Sequence, residues 1–195
     1  MIVYLGFGYR IISRKQQTKI SVNSQHQREP TKPINKNQRK SATSAGTKKY
    51  KMTEVEKFLT EAEEQKVIEA IRIAEKNTSG EIRVHIEKST SKPVLERAKE
   101  VFYYLKMDET KDQNGVLFYL AVHDKKFAIL GDVGIDKKVP KNFWLSVTNT
   151  VLNEFKNNNF ALGLEKGILE TGEKLKEFFP YQDDDINELS DEISY

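Results

Sequence analysis

The run Gly115-Val116-Leu117-Phe118-Tyr119-Leu120-Ala121-Val122 carries no charged side chain and no polar group but the Tyr119 hydroxyl. Its length and its β-branched and aromatic content read as a strand, and a strand without a wet face must be covered on both sides. This constrains the chain more than any other feature, because it requires apolar helices above and below one sheet. Those helices are legible. Thr60-Glu61-Ala62-Glu63 has capping-box spacing, and Val67, Ile68, Ile71 and Ala74 follow at helical intervals before Asn77-Thr78-Ser79-Gly80 stops the helix. Pro93 opens a second helix whose stripe is Val94, Leu95, Ala98, Val101, Phe102 and Leu105. Two more are expected, from Pro140 to Lys156 and from Phe160 to Phe179, with Pro180 ending the last.

Two further strands complete the sheet. Glu81 to Glu87 alternates strictly, with Ile82, Val84 and Ile86 on one face and Glu81, Arg83, His85 and Glu87 on the other. On that polar face His85 reads as a surface or partly packed imidazole rather than a ligand. After the short break His123-Asp124-Lys125-Lys126, Phe127-Ala128-Ile129-Leu130 returns antiparallel to the central strand. The first strand, its helix and the central strand form a right-handed crossover, so those two strands run parallel. The expected fold is a three-layer α/β/α sandwich with a small mixed sheet and helices on both faces.

Charge divides the 195 residues. Residues 1–51 hold 12 Lys and Arg against the single acid Glu29, a surplus of +11, while the remainder carries −8. That basic segment is polar and aperiodic, and reads as a disordered extension ahead of a functional start at Met52. It lacks the interleaved aromatics of a stacking platform, so stable nucleic-acid binding is not expected. Residues 52–180 form the domain. Residues 181–195, with six acids and no base, read as a disordered acidic tail. No apolar run is long enough for a membrane span and no secretory signal fits, so the expectation is a soluble, cytoplasmic monomer, with export as the alternative and any protein partner unidentified. With no cysteine, disulfides, thiolate nucleophiles and cysteine-held zinc are excluded.

The topology gathers carboxylates. The starts of the two parallel strands and the end of the antiparallel one share a rim, where Glu81, Asp112, Asp132 and Asp136 are the expected metal ligands, with Asp108, Glu109 and Asn114 around them. Oxygen-only ligands on loops suit calcium, with magnesium as the alternative. Asp112 and Asp132 fit equally well as turn-capping or helix-starting residues. If phosphate chemistry occurs, Asp132 is more readily a ligand than a nucleophile, and no glycine-rich phosphate loop or nucleophile elbow is present.

Four motifs in order, Thr78-Ser79-Gly80-Glu81-Ile82-Arg83-Val84, Asp112-Gln113-Asn114-Gly115-Val116-Leu117, Gly131-Asp132-Val133-Gly134-Ile135 and Phe160-Ala161-Leu162-Gly163-Leu164, resemble those of the TPM domain family. The family is named for thylakoid-lumen, photosystem-repair and levamisole-receptor auxiliary proteins, and the resemblance is to a stand-alone bacterial-type member. It implies an α/β/α sandwich, calcium binding as in some members, and a binding or accessory role. Acid phosphatase activity on phosphomonoesters, attributed to plant relatives, is the implied alternative. An Arg that relatives commonly place after the second strand is absent from His123-Asp124-Lys125-Lys126, which removes a phosphate clamp.

Overall fold

The computed structural model describes residues 3–4, 11–12, 53–181 and 187–195. Two short strands, β1 (Val3–Tyr4) and β2 (Ile11–Ile12), pair antiparallel. The expectation of disorder for residues 1–51 otherwise falls outside the described residues.

The domain begins at α1 (Glu61–Glu75), whose capping box is formed as its sequence requires: Glu63 N–H donates to Thr60 Oγ1 at 3.3 Å and Thr60 N–H to Glu63 Oε2 at 2.8 Å. Strand β3 (Ile82–Glu87), helix α2 (Val94–Tyr104), and strands β4 (Val116–Ala121) and β5 (Lys126–Gly131) follow. The sheet order is β3-β4-β5, with β3 parallel to β4 and β4 antiparallel to β5. Every residue of β4 is buried. Its Val116, Phe118 and Leu120 meet residues of α1, α4 (Phe143–Lys156) and α5 (Phe160–Leu175) in one core, while Leu117, Tyr119 and Ala121 meet Val94, Ala98 and Val101 of α2 in another. Alternate side chains of one strand thus cement two layers of helix, and the three-layer sandwich results.

Val133–Lys138 forms a short helix, α3, directly after β5, so of the alternatives open for Asp132 in the sequence the helix-starting one is seen. Asp132 is its N-cap. Six residues are too few for a hydrophobic period to show in the sequence.

The acidic tail departs from expectation. Residues 187–195 lie along β3 instead of in solvent; residues 182–186 are outside the described set. Ile86 N–H donates to Ser194 C=O at 2.9 Å and Ser194 N–H to Val84 C=O at 3.0 Å, a parallel bridge on the outer edge of the sheet. Ile193 is buried in the core shared with α1, and Leu189 packs partly buried against the α2 side. The six acids obscured two aliphatic side chains spaced to straddle the sheet edge.

Helix α5 approaches its neighbours through glycine. A Cβ on Gly167 would stand 2.3 Å from Val151 Cγ2 of α4, and one on Gly172 would stand 2.6 Å from Ala74 Cβ of α1. Helix propensity alone favours alanine over glycine by roughly 1 kcal/mol. The steric term outweighs it, since overpacking a rigid core costs about 1–3 kcal/mol. Gly167→Ala should therefore destabilise the domain in urea unfolding; stabilisation would show that α4 and α5 are not in such close contact.

Candidate functional site

The structure divides the expected ring of carboxylates between two sides of the loop that joins α2 to β4. On one side stands Asp132, 9% exposed. Its backbone N–H donates to Gly115 C=O at 2.9 Å, which continues the β4–β5 ladder, and its Oδ1 accepts from Val133 N–H at 2.6 Å as the cap of α3. Its Oδ2 is buried without a hydrogen-bond partner among the described residues. Burial pushes its pKa above the usual carboxylate value, and the nearby Asp108 charge adds to the shift while the capping amide opposes it. A buried carboxylate in this condition is a strong acceptor with half its capacity unused.

The loop presses on this residue. Gly134 N–H donates to Gln113 C=O at 3.0 Å. A Cβ on Gly134 would lie 2.4 Å from Asp112 O and 2.5 Å from Gln113 O, so only glycine lets α3 sit against those carbonyls. Gln113 adopts φ 51°, a left-handed conformation costly for a side-chain-bearing residue, and this turns the loop back toward β4. Asp136 follows one turn along α3, half-buried, its N–H donating to Asp132 C=O at 3.0 Å. Asp108 and Glu109 are exposed, and Glu109 pairs with Lys106 at 3.3 Å.

On the other side lies a cavity of about 430 Å³, lined by Glu75, Glu81, Asp112, Asn114, Glu188 and Asp191 among others. Here Glu81, Asp112 and Asn114 do come together, but Asp132 is not among the lining residues. Glu81 is engaged: its Oε1 accepts from Glu188 N–H at 3.0 Å and its Oε2 from Leu189 N–H at 3.2 Å. The 187–195 strap therefore holds the carboxylate that the sequence assigned to a metal. Asn114, 2% exposed, donates to Ser79 C=O at 2.6 Å, and its Oδ1 has no partner among the described residues. No three carboxylate or imidazole groups among the described residues stand close enough to hold a metal by themselves. Any cation here must draw on amide and backbone oxygens as well.

Sequence reasoning missed several groups in this cavity. Glu75, at the end of α1, accepts from Ile82 N–H at 2.8 Å, and burial, with Glu81 and Asp191 nearby, raises its pKa to about 8. Arg72 donates to Asp191 at 3.0 Å. The helical stripe puts both residues on the wet side of α1; in the fold Glu75 becomes half-buried, whereas Arg72 stays exposed and pairs with the strap's Asp191. His85 is a further correction: the strap leaves it 5% exposed, Nδ1 lies 2.9 Å from Ser194 Oγ, and burial lowers its pKa to about 4. It is a neutral core imidazole, stacked on Tyr119 beside a Glu87 carboxylate that takes two hydrogen bonds from Arg97 Nε at 3.0 and 3.2 Å and one from Nη2 at 2.9 Å.

A TPM domain profile matches residues 52–174, a range that includes the Asp-Gln-Asn-Gly loop before β4 and the Gly-Asp-x-Gly start of α3. The chain belongs to the TPM domain family. Among solved structures it is similar to the BA42 protein of the psychrophilic bacterium Bizionia argentinensis, with 52% identity, TM-score 0.69, and coverage of 73% of this chain and 99% of that one. The N-terminal domain of a protein from P. gingivalis shares the fold at 18% identity and TM-score 0.54, over 64% of this chain and 82% of its own. No curated protein matches. No helix among the described residues of this TPM domain is long and apolar enough to cross a membrane.

Glu75 makes stability depend on pH in a defined direction. Its folded pKa of about 8 lies above the ordinary glutamate value of 4.5, so the folded state holds the extra proton between those limits. That contribution is fully present below 4.5 and is lost as pH rises through 8, at up to about 1.4 kcal/mol per unit. Glu75→Gln keeps an acceptor for Ile82 N–H without the charge. Thermal unfolding from pH 5 to 8.5 should show the native domain losing stability with pH more steeply than the Gln variant; parallel profiles would mean that Glu75 does not hold the proton.

Proposed function

We propose that this TPM domain is a divalent-cation binding module that takes calcium at the rim between the α2–β4 loop and the start of α3. The observation that carries this reading is the buried, half-satisfied carboxylate of Asp132 beside the glycine cradle of Gly134. A buried carboxylate oxygen left without a donor is costly, and a cation relieves that cost. The donors on this side of the loop are Asp132 Oδ2 and the carbonyls of Asp112 and Gln113 that pack against Gly134, with Asp108 and Asp136 adding negative potential, while Asn114 lines the cavity on the other side. All are hard oxygens on loop or helix-start backbone. Calcium tolerates such an irregular set with water in the remaining positions, whereas magnesium demands near-octahedral geometry.

One buried carboxylate with neutral oxygens supports weak binding, in the range of about 10⁻⁴–10⁻³ M typical of low-charge modules. Glu81 contributes little, because the strap amides already satisfy both of its oxygens. Calorimetric titration with calcium should give this affinity, with at least a tenfold loss in Asp132→Asn and little change in Glu81→Gln. Affinity should also fall on acidification as Asp132 takes up a proton. Equal affinity in the native domain and Asp132→Asn would end the proposal.

The second reading is metal-assisted hydrolysis of phosphomonoesters. It is favoured by Lys76 and Lys111, which line the cavity on the other side of the Asp112 loop and bring positive charge within reach of a phosphoryl group. A bound cation would supply polarisation of the phosphoryl oxygens. If this reading holds, para-nitrophenyl phosphate turnover should require calcium, magnesium or manganese and fall at least tenfold in Asp132→Asn. Turnover that is absent with all three ions, or that survives the substitution, would leave the binding role alone.

A further inference from the structure

The cavity beside Glu81 has a volume of about 430 Å³, within the roughly 300–1,000 Å³ of sites that hold small molecules. The end of α1, the Thr78-Ser79-Gly80 turn, the Asp112 loop and the strap supply its wall. Its charges divide by depth. Arg72, Lys76 and Lys111 are all exposed, and their long stems let the charged heads turn to water. The groups withdrawn from solvent are acceptors instead: Glu81 and Asn114 are buried, and Glu75 and Asp191 are half-buried.

Six carboxylates line the cavity, those of Glu69, Glu75, Glu81, Asp112, Glu188 and Asp191. Against them stand the three exposed cations and Arg83, a fourth, whose charge faces Asp191, Glu75 and Glu81 from β3. Six negative groups against four positive ones leave two charges unmatched. Glu75 meets part of this deficit by keeping its proton into the neutral range. A single metal ion is a poor remedy, since no three carboxylate or imidazole groups among the described residues stand close enough to hold one. Charge spread along a cavity suits a cation whose own charges are spread.

A second observation, independent of charge, calls for a donor. Asn114 is 2% exposed, and its Nδ2 donates to Ser79 C=O at 2.6 Å. Its Oδ1 is buried with no hydrogen-bond partner among the described residues. An amide oxygen can only accept, so an occupant that satisfies it must bring an N–H or O–H. An ammonium group meets both demands. Tyr181, 49% exposed in the same wall, adds an aromatic ring, which attracts such a cation.

We infer that this cavity binds a short linear diamine, with one ammonium on the floor against Glu75 and Asn114 Oδ1 and the other at the mouth among Glu69, Asp112 and Glu188. The floor ammonium takes the place of the proton on Glu75, which passes to solvent. Glu81 keeps its hydrogen bonds from the Glu188 and Leu189 amides, so the strap remains as one wall. The inference is separate from the calcium reading, because Asp132 is not among the lining residues.

The test is calorimetric titration of the full chain with 1,4-diaminobutane at pH 7, in two buffers of different ionisation enthalpy. The diamine should bind at least tenfold more tightly than butylamine, which has a single ammonium, and 1,4-butanediol, which has none, should not bind. The buffer dependence should report release of close to one proton per diamine. Glu75→Gln should abolish that release and weaken binding at least tenfold, and Tyr181→Ala, at an exposed position, should weaken it several-fold. Absence of binding, equal affinity for diamine and diol, or an affinity unchanged in Glu75→Gln overturns the inference. Displacement of the diamine by calcium also overturns it, since the cavity would then be a metal site. If Glu75→Gln fails to fold, amide shifts of the native chain decide. The Ser79, Gly80 and Asn114 amides should shift with the diamine and not with the diol; shifts confined to the exposed acids would show unspecific attraction and overturn the inference.

Discussion

Burial of β4 on both faces is the constraint on which the domain rests. Six consecutive buried residues cannot be accommodated by a sheet with one wet side, so α2 must cover one face while α1, α4 and α5 cover the other. The parallel pairing with β3 and the antiparallel return of β5 follow from connection length: a helix spans the first gap, and a short turn with Lys125 at φ 51° spans the second. These pairings place the starts of β3 and β4 and the end of β5 at one rim. The α2–β4 loop and α3 are then pressed together there through Gly134.

That rim illustrates how backbone amides claim the carboxylate oxygens unequally. Asp132 spends one oxygen on capping α3 and leaves the other buried and unmatched. Glu81, by contrast, gives both oxygens to amides of the strap. Two carboxylates that look equivalent along the sequence thus differ in what they have left to offer, and only one retains capacity for a cation. Glu75 shows the complementary outcome, since burial, with the Glu81 and Asp191 charges adding to it, keeps its proton into the neutral range.

Much of the fold was legible because its signals are local. The Thr60 capping box, the strict alternation from Ile82 to Glu87 and the helical stripes each follow from residues within a few positions of one another. Topology made one expectation legible, that parallel β3 and β4 with antiparallel β5 bring Glu81, Asp112 and Asp132 toward one border. Their division to either side of the loop was not, because it depends on the left-handed Gln113 and on how closely Gly134 admits the carbonyls of Asp112 and Gln113.

Hydrophobic pattern and turn chemistry by themselves determined the layers, the strand directions and the oxygen-only character of any metal site, because each is a property of neighbouring residues and short connections. Tertiary structure alone decided the environment of individual groups. Glu75 lies on the polar stripe of α1 and His85 on the polar side of β3, yet residues of the strap, more than a hundred positions away in the chain, stand beside both and share in their burial. Solvation, and with it protonation and ligand capacity, is set by whatever arrives from elsewhere in the chain, and no local pattern encodes that arrival.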